Sequence, residues 1–63
     1  MKEHDIVILK HDDPEAGVKT TNIGVIVCVH APGCFTVEFI DDDNNTIEAS
    51  LLKVYSEKNL ILV

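Results

Sequence analysis

The stretch from Ile23 to Ile47 constrains the fold of this chain more than any other part. It reads Ile-Gly-Val-Ile-Val-Cys-Val-His, Ala-Pro-Gly, Cys-Phe-Thr-Val-Glu-Phe-Ile, Asp-Asp-Asp-Asn-Asn and Thr-Ile. β-branched and aromatic runs alternate with Pro-Gly and Asp/Asn breaks, which is how strands joined by tight turns read. Three such strands in succession form a meander. In a chain of 63 residues a meander has to curl on itself to enclose a core.

The remaining segments fit around this centre. Asp5 to Leu9 is an apolar first strand. Lys10 to Asn22 is a long irregular connection punctuated by Pro14 and Gly17, and only Val18 is apolar enough to tuck it onto the core. Long connections in small domains are often functional. Ile23 to His30 is the second strand, with Gly24 marking a bulge or a close backbone approach. Cys34 to Ile40 is the third. Its Phe35, Val37 and Phe39 share one face, opposite Thr36 and Glu38, and are assigned to the core. Asn44-Asn45 supplies a turn with positive φ. Thr46 to Leu51 is read as a fourth strand, Leu52 to Glu57 as a break, and Lys58 to Val63 as a last strand. Five strands with a long first loop and two tight hairpins give an all-β domain over residues 1–63, laid out as a small five-stranded SH3-like barrel.

The charge balance narrows the partners. Five lysines and no arginine face 11 acidic residues, a net charge of −6. Nucleic-acid binding needs cations to replace phosphate counterions, and arginine to read bases. An anionic membrane surface disfavours the chain for the same reason. Neither partner is expected, whereas a basic protein is electrostatically favoured. The plain alternative is that the charge keeps a small protein soluble. No signal peptide is read at the start, where Lys2-Glu3-His4-Asp5 leads into only a short apolar run. If Pro32-Gly33 is a two-residue tip, Ala31 faces Cys34 and Cys28 faces Val37. The two sulfurs are then out of disulfide reach and both thiols are expected to be reduced, as in the cytoplasm.

The pattern resembles a family of short uncharacterised bacterial proteins, best represented in cyanobacteria, that carry a domain of unknown function. The resemblance runs through Asp5-Ile6-Val7-x-Leu9, Asp13-Pro14-Glu15-x-Gly17-Val18 and Gly24-x-x-Val27-x-Val29. It continues through Gly33-x-Phe35-x-Val37-Glu38-Phe39 and ends at Leu51 and Leu60. Members often carry Gly-Asp where this chain has Thr21-Asn22. More distantly the chain is similar to the SH3-like barrel of nitrile hydratase β subunits. That likeness implies a fold and no activity, because the metal ligands of nitrile hydratase lie on its other subunit.

The chemistry-bearing residues form no set that specifies a reaction. Asp41-Asp42-Asp43-Asn44-Asn45 alternates oxygens, but a calcium loop starting at Asp41 needs Gly and Glu where Thr46 and Leu52 stand. Cys28 and His30 lie two apart on one strand, yet zinc needs three or four ligands. They are equally unsuited as a nucleophile and its base, which must face each other. A chain this size is also expected to lack a pocket of several hundred Å³. Glu38 and Glu48 are read as cross-strand neighbours on the outer face, with nothing to bury either. No enzyme activity, metal or cofactor is expected.

The acidic residues are the better candidates. Asp12, Asp13 and Glu15 in the first loop, with Asp41, Asp42 and Asp43 at a hairpin tip, are read as partner-binding. Proline-rich peptides are not the expected partner, since Tyr55 is the only tyrosine and tryptophan is absent. Leu60, Ile61, Leu62 and Val63 form an apolar tail without polar alternation. It is read as an oligomer interface in a homo-oligomer. The expected function is a non-enzymatic protein-interaction module, of the inhibitor or immunity type. An accessory component of an enzyme complex, or a small metal- or ligand-binding protein, is the alternative.

Overall fold

The computed structural model describes residues 1–63. Strand β1 covers Ile6–Leu9, β2 Gly24–Ala31, β3 Cys34–Phe39, β4 Tyr55–Ser56 and β5 Leu60–Leu62. Two short 3-10 helices, Glu48–Leu52 and Glu57–Asn59, precede β4 and β5. The strands form one antiparallel sheet in the order β4-β3-β2-β1-β5. β4 and β5 are opposite edges of this sheet, yet only Glu57–Asn59 separates them along the chain. The sheet therefore wraps until its edges approach each other. No ladder joins β4 to β5, and the short helix Glu57–Asn59 links the two edges.

Alternation decides which side of each strand is buried. Val7, Leu9, Ile26, Phe35, Val37, Phe39 and Leu60 point inward, and Tyr55, Ala16 and Val18 complete the core. The assignment of Phe35, Val37 and Phe39 to the core is correct. Phe39 meets Tyr55 edge-on, with ring centroids 5.3 Å apart. Gly24 is a close approach and carries no bulge. A Cβ there would sit 2.6 Å from Val37 Cγ1 and 2.7 Å from Phe39 Cδ1. The register shifts fall further along β2, between Ile26 and Cys28 and between Val29 and Ala31.

These shifts correct the expected hairpin register. Ala31 does oppose Cys34, but Cys28 opposes Thr36, and Val37 is opposed by Ile26. Both cysteines are free thiols. Gly33 has φ +80 at the hairpin tip, the left-handed conformation a Pro-Gly turn needs at its second position. Of the two asparagines in the next turn, only Asn44 takes a positive φ.

The fourth strand expected over Thr46–Leu51 is not formed. Thr46 makes a single bridge to Ile40, and the chain then coils into the 3-10 helix Glu48–Leu52. Ser50 explains the change. Its amide and hydroxyl both donate to the Ile47 carbonyl, at 2.9 and 2.8 Å, and its Oγ accepts from the Phe39 amide at 3.2 Å. A serine side chain that satisfies nearby backbone groups competes with strand pairing. Fully buried, Ser50 seals the end of β3. Glu48 consequently begins a helix and is no cross-strand neighbour of Glu38, which accepts instead from the Thr46 hydroxyl at 2.7 Å.

Candidate functional site

The long first loop is fixed from within. Pro14 to Gly17 forms a tight turn, and Asp13 and Val18 exchange backbone hydrogen bonds of 2.7 and 3.0 Å across its neck. Val18 and Ala16 are buried, so two apolar side chains, not Val18 alone, anchor the loop, and Asn22 is buried at its end. Its far end closes on itself: the Lys19 amide donates to Asn22 Oδ1 and the Asn22 amide to the Lys19 carbonyl. The Thr20 amide donates to Asp12 Oδ1 at 2.8 Å. From this held backbone the Asp13 side chain reaches Lys53 and the first residue of β4, Tyr55.

There it meets two donors. Lys53 Nζ lies 2.8 Å from Asp13 Oδ2, and the Tyr55 hydroxyl donates to the same oxygen at 2.9 Å. Lys53 also lies 3.5 Å from Glu15 and 5.4 Å from the centroid of the Tyr55 ring. The hydrogen bond from Lys53 holds the Asp13 carboxyl below its ordinary range, and the one from Tyr55 adds to the effect. The same contact holds Lys53 above its ordinary range. Burial pushes the Tyr55 hydroxyl up, and the Asp13 charge pushes it further.

A cleft of about 350 Å³ opens beside this cluster. Leu9, Val54 and Tyr55 supply apolar wall, and His11, Asp12, Asp13, Lys53 and Asn59 supply polar groups. The chain is therefore large enough for a cleft of several hundred Å³, contrary to the expectation from its length. These shifts keep the Asp13 carboxyl ionised and Lys53 and Tyr55 protonated near neutral pH, so the cluster is a fixed ion pair with a hydroxyl donor.

The acidic residues singled out in the sequence divide between two places. Asp12 and Asp13 line the cleft, and Glu15 stands beside it, well exposed. Asp13 is committed to Lys53 and Tyr55. Asp41 and Asp42 line a different depression, with Thr21, Asn22 and Asn44. Asp41 is a turn former, its Oδ1 accepting from the Asp43 and Asn45 amides at 2.9 Å each. Asp42 and Asp43 are exposed. His30 hydrogen-bonds the hydroxyl of Thr36, the residue that opposes Cys28 across the hairpin. No three His, Cys, Asp or Glu side chains gather around a point that could hold a metal ion.

The apolar tail is also divided. Leu60 belongs to the chain's own core and is closed to any partner, whereas Ile61, Leu62 and Val63 are exposed. No helix is long and apolar enough to cross a membrane. Lys53 and Tyr55 were invisible to sequence reasoning, because nothing in Leu51-Leu52-Lys53-Val54-Tyr55 marks a partner in the first loop.

The chain belongs to the DUF4926 family, a domain of unknown function, which matches residues 3–58. No curated protein and no solved structure matches the chain.

Proposed function

We propose that this domain is a non-enzymatic protein-interaction module of the bacterial cytoplasm, whose cleft receives a basic side chain or segment of a partner protein. One observation carries the reading. The cleft and its rim hold three carboxylates, Asp12, Asp13 and Glu15, against one cation, Lys53, which Asp13 already neutralises. Negative charge is left over beside an apolar wall of Leu9, Val54 and Tyr55. A lysine or arginine side chain suits such a place, with its stem on the wall and its head at the rim. The surplus of acidic residues over the whole chain steers a basic partner toward it. An inhibitor or immunity-type role follows if that partner is a basic toxin or enzyme.

The test is capture from the native host with the wild-type chain and with the D12K/E15K double variant. A basic protein that co-elutes with wild type, is released by raised salt and is lost with the variant supports the reading. The same set of proteins on both baits rejects it.

A further inference from the structure

Lys53 is the one lysine at the acidic cleft, and it is placed as a bound ligand would be. Its ammonium lies 2.8 Å from Asp13 Oδ2 and 3.5 Å from Glu15 Oε1, and 5.4 Å from the centroid of the Tyr55 ring. Carboxylates together with an aromatic ring within about 6 Å make a seat for an ammonium group. Lys53 itself belongs to neither neighbouring element. It lies between the 3-10 helix Glu48–Leu52 and β4, and Asp13 and Glu15 are its only ionic partners.

The three carboxylates of the cleft are unequal. The Asp13 side chain is 15% exposed and that of Glu15 85%, while Asp12 is exposed. The Tyr55 hydroxyl also donates to the oxygen of Asp13 that holds Lys53. A cation on a partly dehydrated carboxylate is held more strongly than one on an exposed carboxylate, where water screens the charge. The strongest seat of the cleft is therefore the one that the chain's own lysine fills.

We infer that Lys53 occupies in cis the seat that the cleft offers to a partner's basic side chain, so that binding is an exchange. The partner's ammonium takes Asp13, and Lys53 moves out to water. The inference rests on the partner site proposed above. It narrows the ligand to a primary ammonium on an unbranched stem, the group the structure shows seated there.

Exchange sets a threshold for binding. A partly exposed ion pair is closed about three- to fivefold more often than it is open, and a ligand that needs it open loses about that factor in apparent affinity. A single lysine side chain arriving from solution only repeats what Lys53 already does. A segment of a partner protein adds more, because it can also cover Val54, which lines the cleft and is 54% exposed. Lys53 thus makes the cleft reject isolated cations and admit basic segments.

NMR titration of the full chain with Nα-acetyl-lysine methylamide tests the inference, using wild type, K53M, D13N/K53M and K2M. Lys2 is exposed and lines no part of the cleft, so K2M removes the same charge elsewhere. The K53M variant should bind the probe about three- to fivefold more tightly than wild type. K2M should match wild type, and D13N/K53M should lose the gain. The norleucine analogue, which lacks the ammonium, should not bind. Equal affinity in K53M and wild type overturns the inference and leaves the partner site standing on Asp12 and Glu15. An equal gain in K2M, a gain kept in D13N/K53M, or equal binding of the norleucine analogue also overturns it. Failure of all four proteins to bind at tens of millimolar probe overturns the inference and the partner site together. If K53M does not fold, wild type decides the matter. The ε-methylene signals of Lys53 should move toward those of free lysine as probe is added, and signals that stay fixed while the rest of the cleft shifts overturn the exchange.

Discussion

Asp13 Oδ2 lies 2.8 Å from Lys53 Nζ, although 40 positions separate the two residues along the chain. This contact joins the first loop to the segment that enters β4, and it shapes one wall of the cleft. The Asp13 side chain is 15% exposed and that of Lys53 32%, so water weakens the pair without dissolving it. Tyr55 binds the same oxygen from a ring that packs on Phe39. The loop is thus tied to the core by a polar chain that ends in an aromatic pair.

That arrangement gives stability a definite pH dependence. The folded-state pKa of Asp13 is depressed below its ordinary 3.8. Its contribution is present above that value and is lost as pH falls through the lower folded-state value. Lys53 and Tyr55 are raised above 10.5 and 10.0, so their contributions are present below those values and are lost as pH rises past them. Thermal unfolding of wild type and D13N should differ near neutrality, wild type being the more stable, and the difference should shrink below about pH 4. A difference that stays constant down to pH 2 would show that Asp13 acts only through the shape of its side chain.

Phe39 is fully buried and carries the aromatic contact with Tyr55. Phe39→Ala should cost about 3–5 kcal/mol, comparable with the whole stability of a domain this small. Chemical denaturation should find the variant largely unfolded in buffer. A midpoint near that of wild type would mean that the core collapses around the gap.

Cys28 is exposed at the β2–β3 hairpin and faces Thr36, while Cys34 faces Ala31. Neither sulfur has the other as its cross-strand neighbour. Thiol titration of unfolded, unreduced protein should find two groups per chain. Finding none, with a mass lower by two hydrogens, would require a different hairpin register.

The third strand was legible because Phe35, Val37 and Phe39 alternate with polar residues, a pattern with one solution. The segment Thr46 to Leu51 was not, because its strand-like composition hides Ser50, whose hydroxyl turns the backbone into a 3-10 helix. The acidic character of the first loop was readable from its composition, but the cleft that Asp12 and Asp13 line was not. The Asp13–Lys53–Tyr55 cluster was not, since hydrogen bonds across some 40 residues leave no local pattern. The orientation of β1 escaped for a related reason. Ile6, Val7, Ile8 and Leu9 are all apolar, so the sequence of β1 does not say which side meets the core. Pairing with β2 and β5 is what separates Val7 and Leu9 from Ile6 and Ile8.

Gly24 offers the sharpest local test of this packing. It stands in β2 opposite Phe39, where the sheet has no room for a side chain on the inner face. An added Cβ would lie 2.6 Å from Val37 Cγ1 and 2.7 Å from both Phe39 Cδ1 and Cε1. These atoms belong to fully buried side chains, so they have little freedom to retreat. On backbone grounds alone, Gly→Ala in a strand should help slightly, because it reduces the freedom of the unfolded chain. The steric term should win here, at about 1–3 kcal/mol of destabilisation. Gly24→Ala should therefore lower the denaturation midpoint while leaving the slope unchanged. A variant as stable as wild type would show that Phe39 can swing away from β2, and the inward packing of β3 against Gly24 would have to be redrawn.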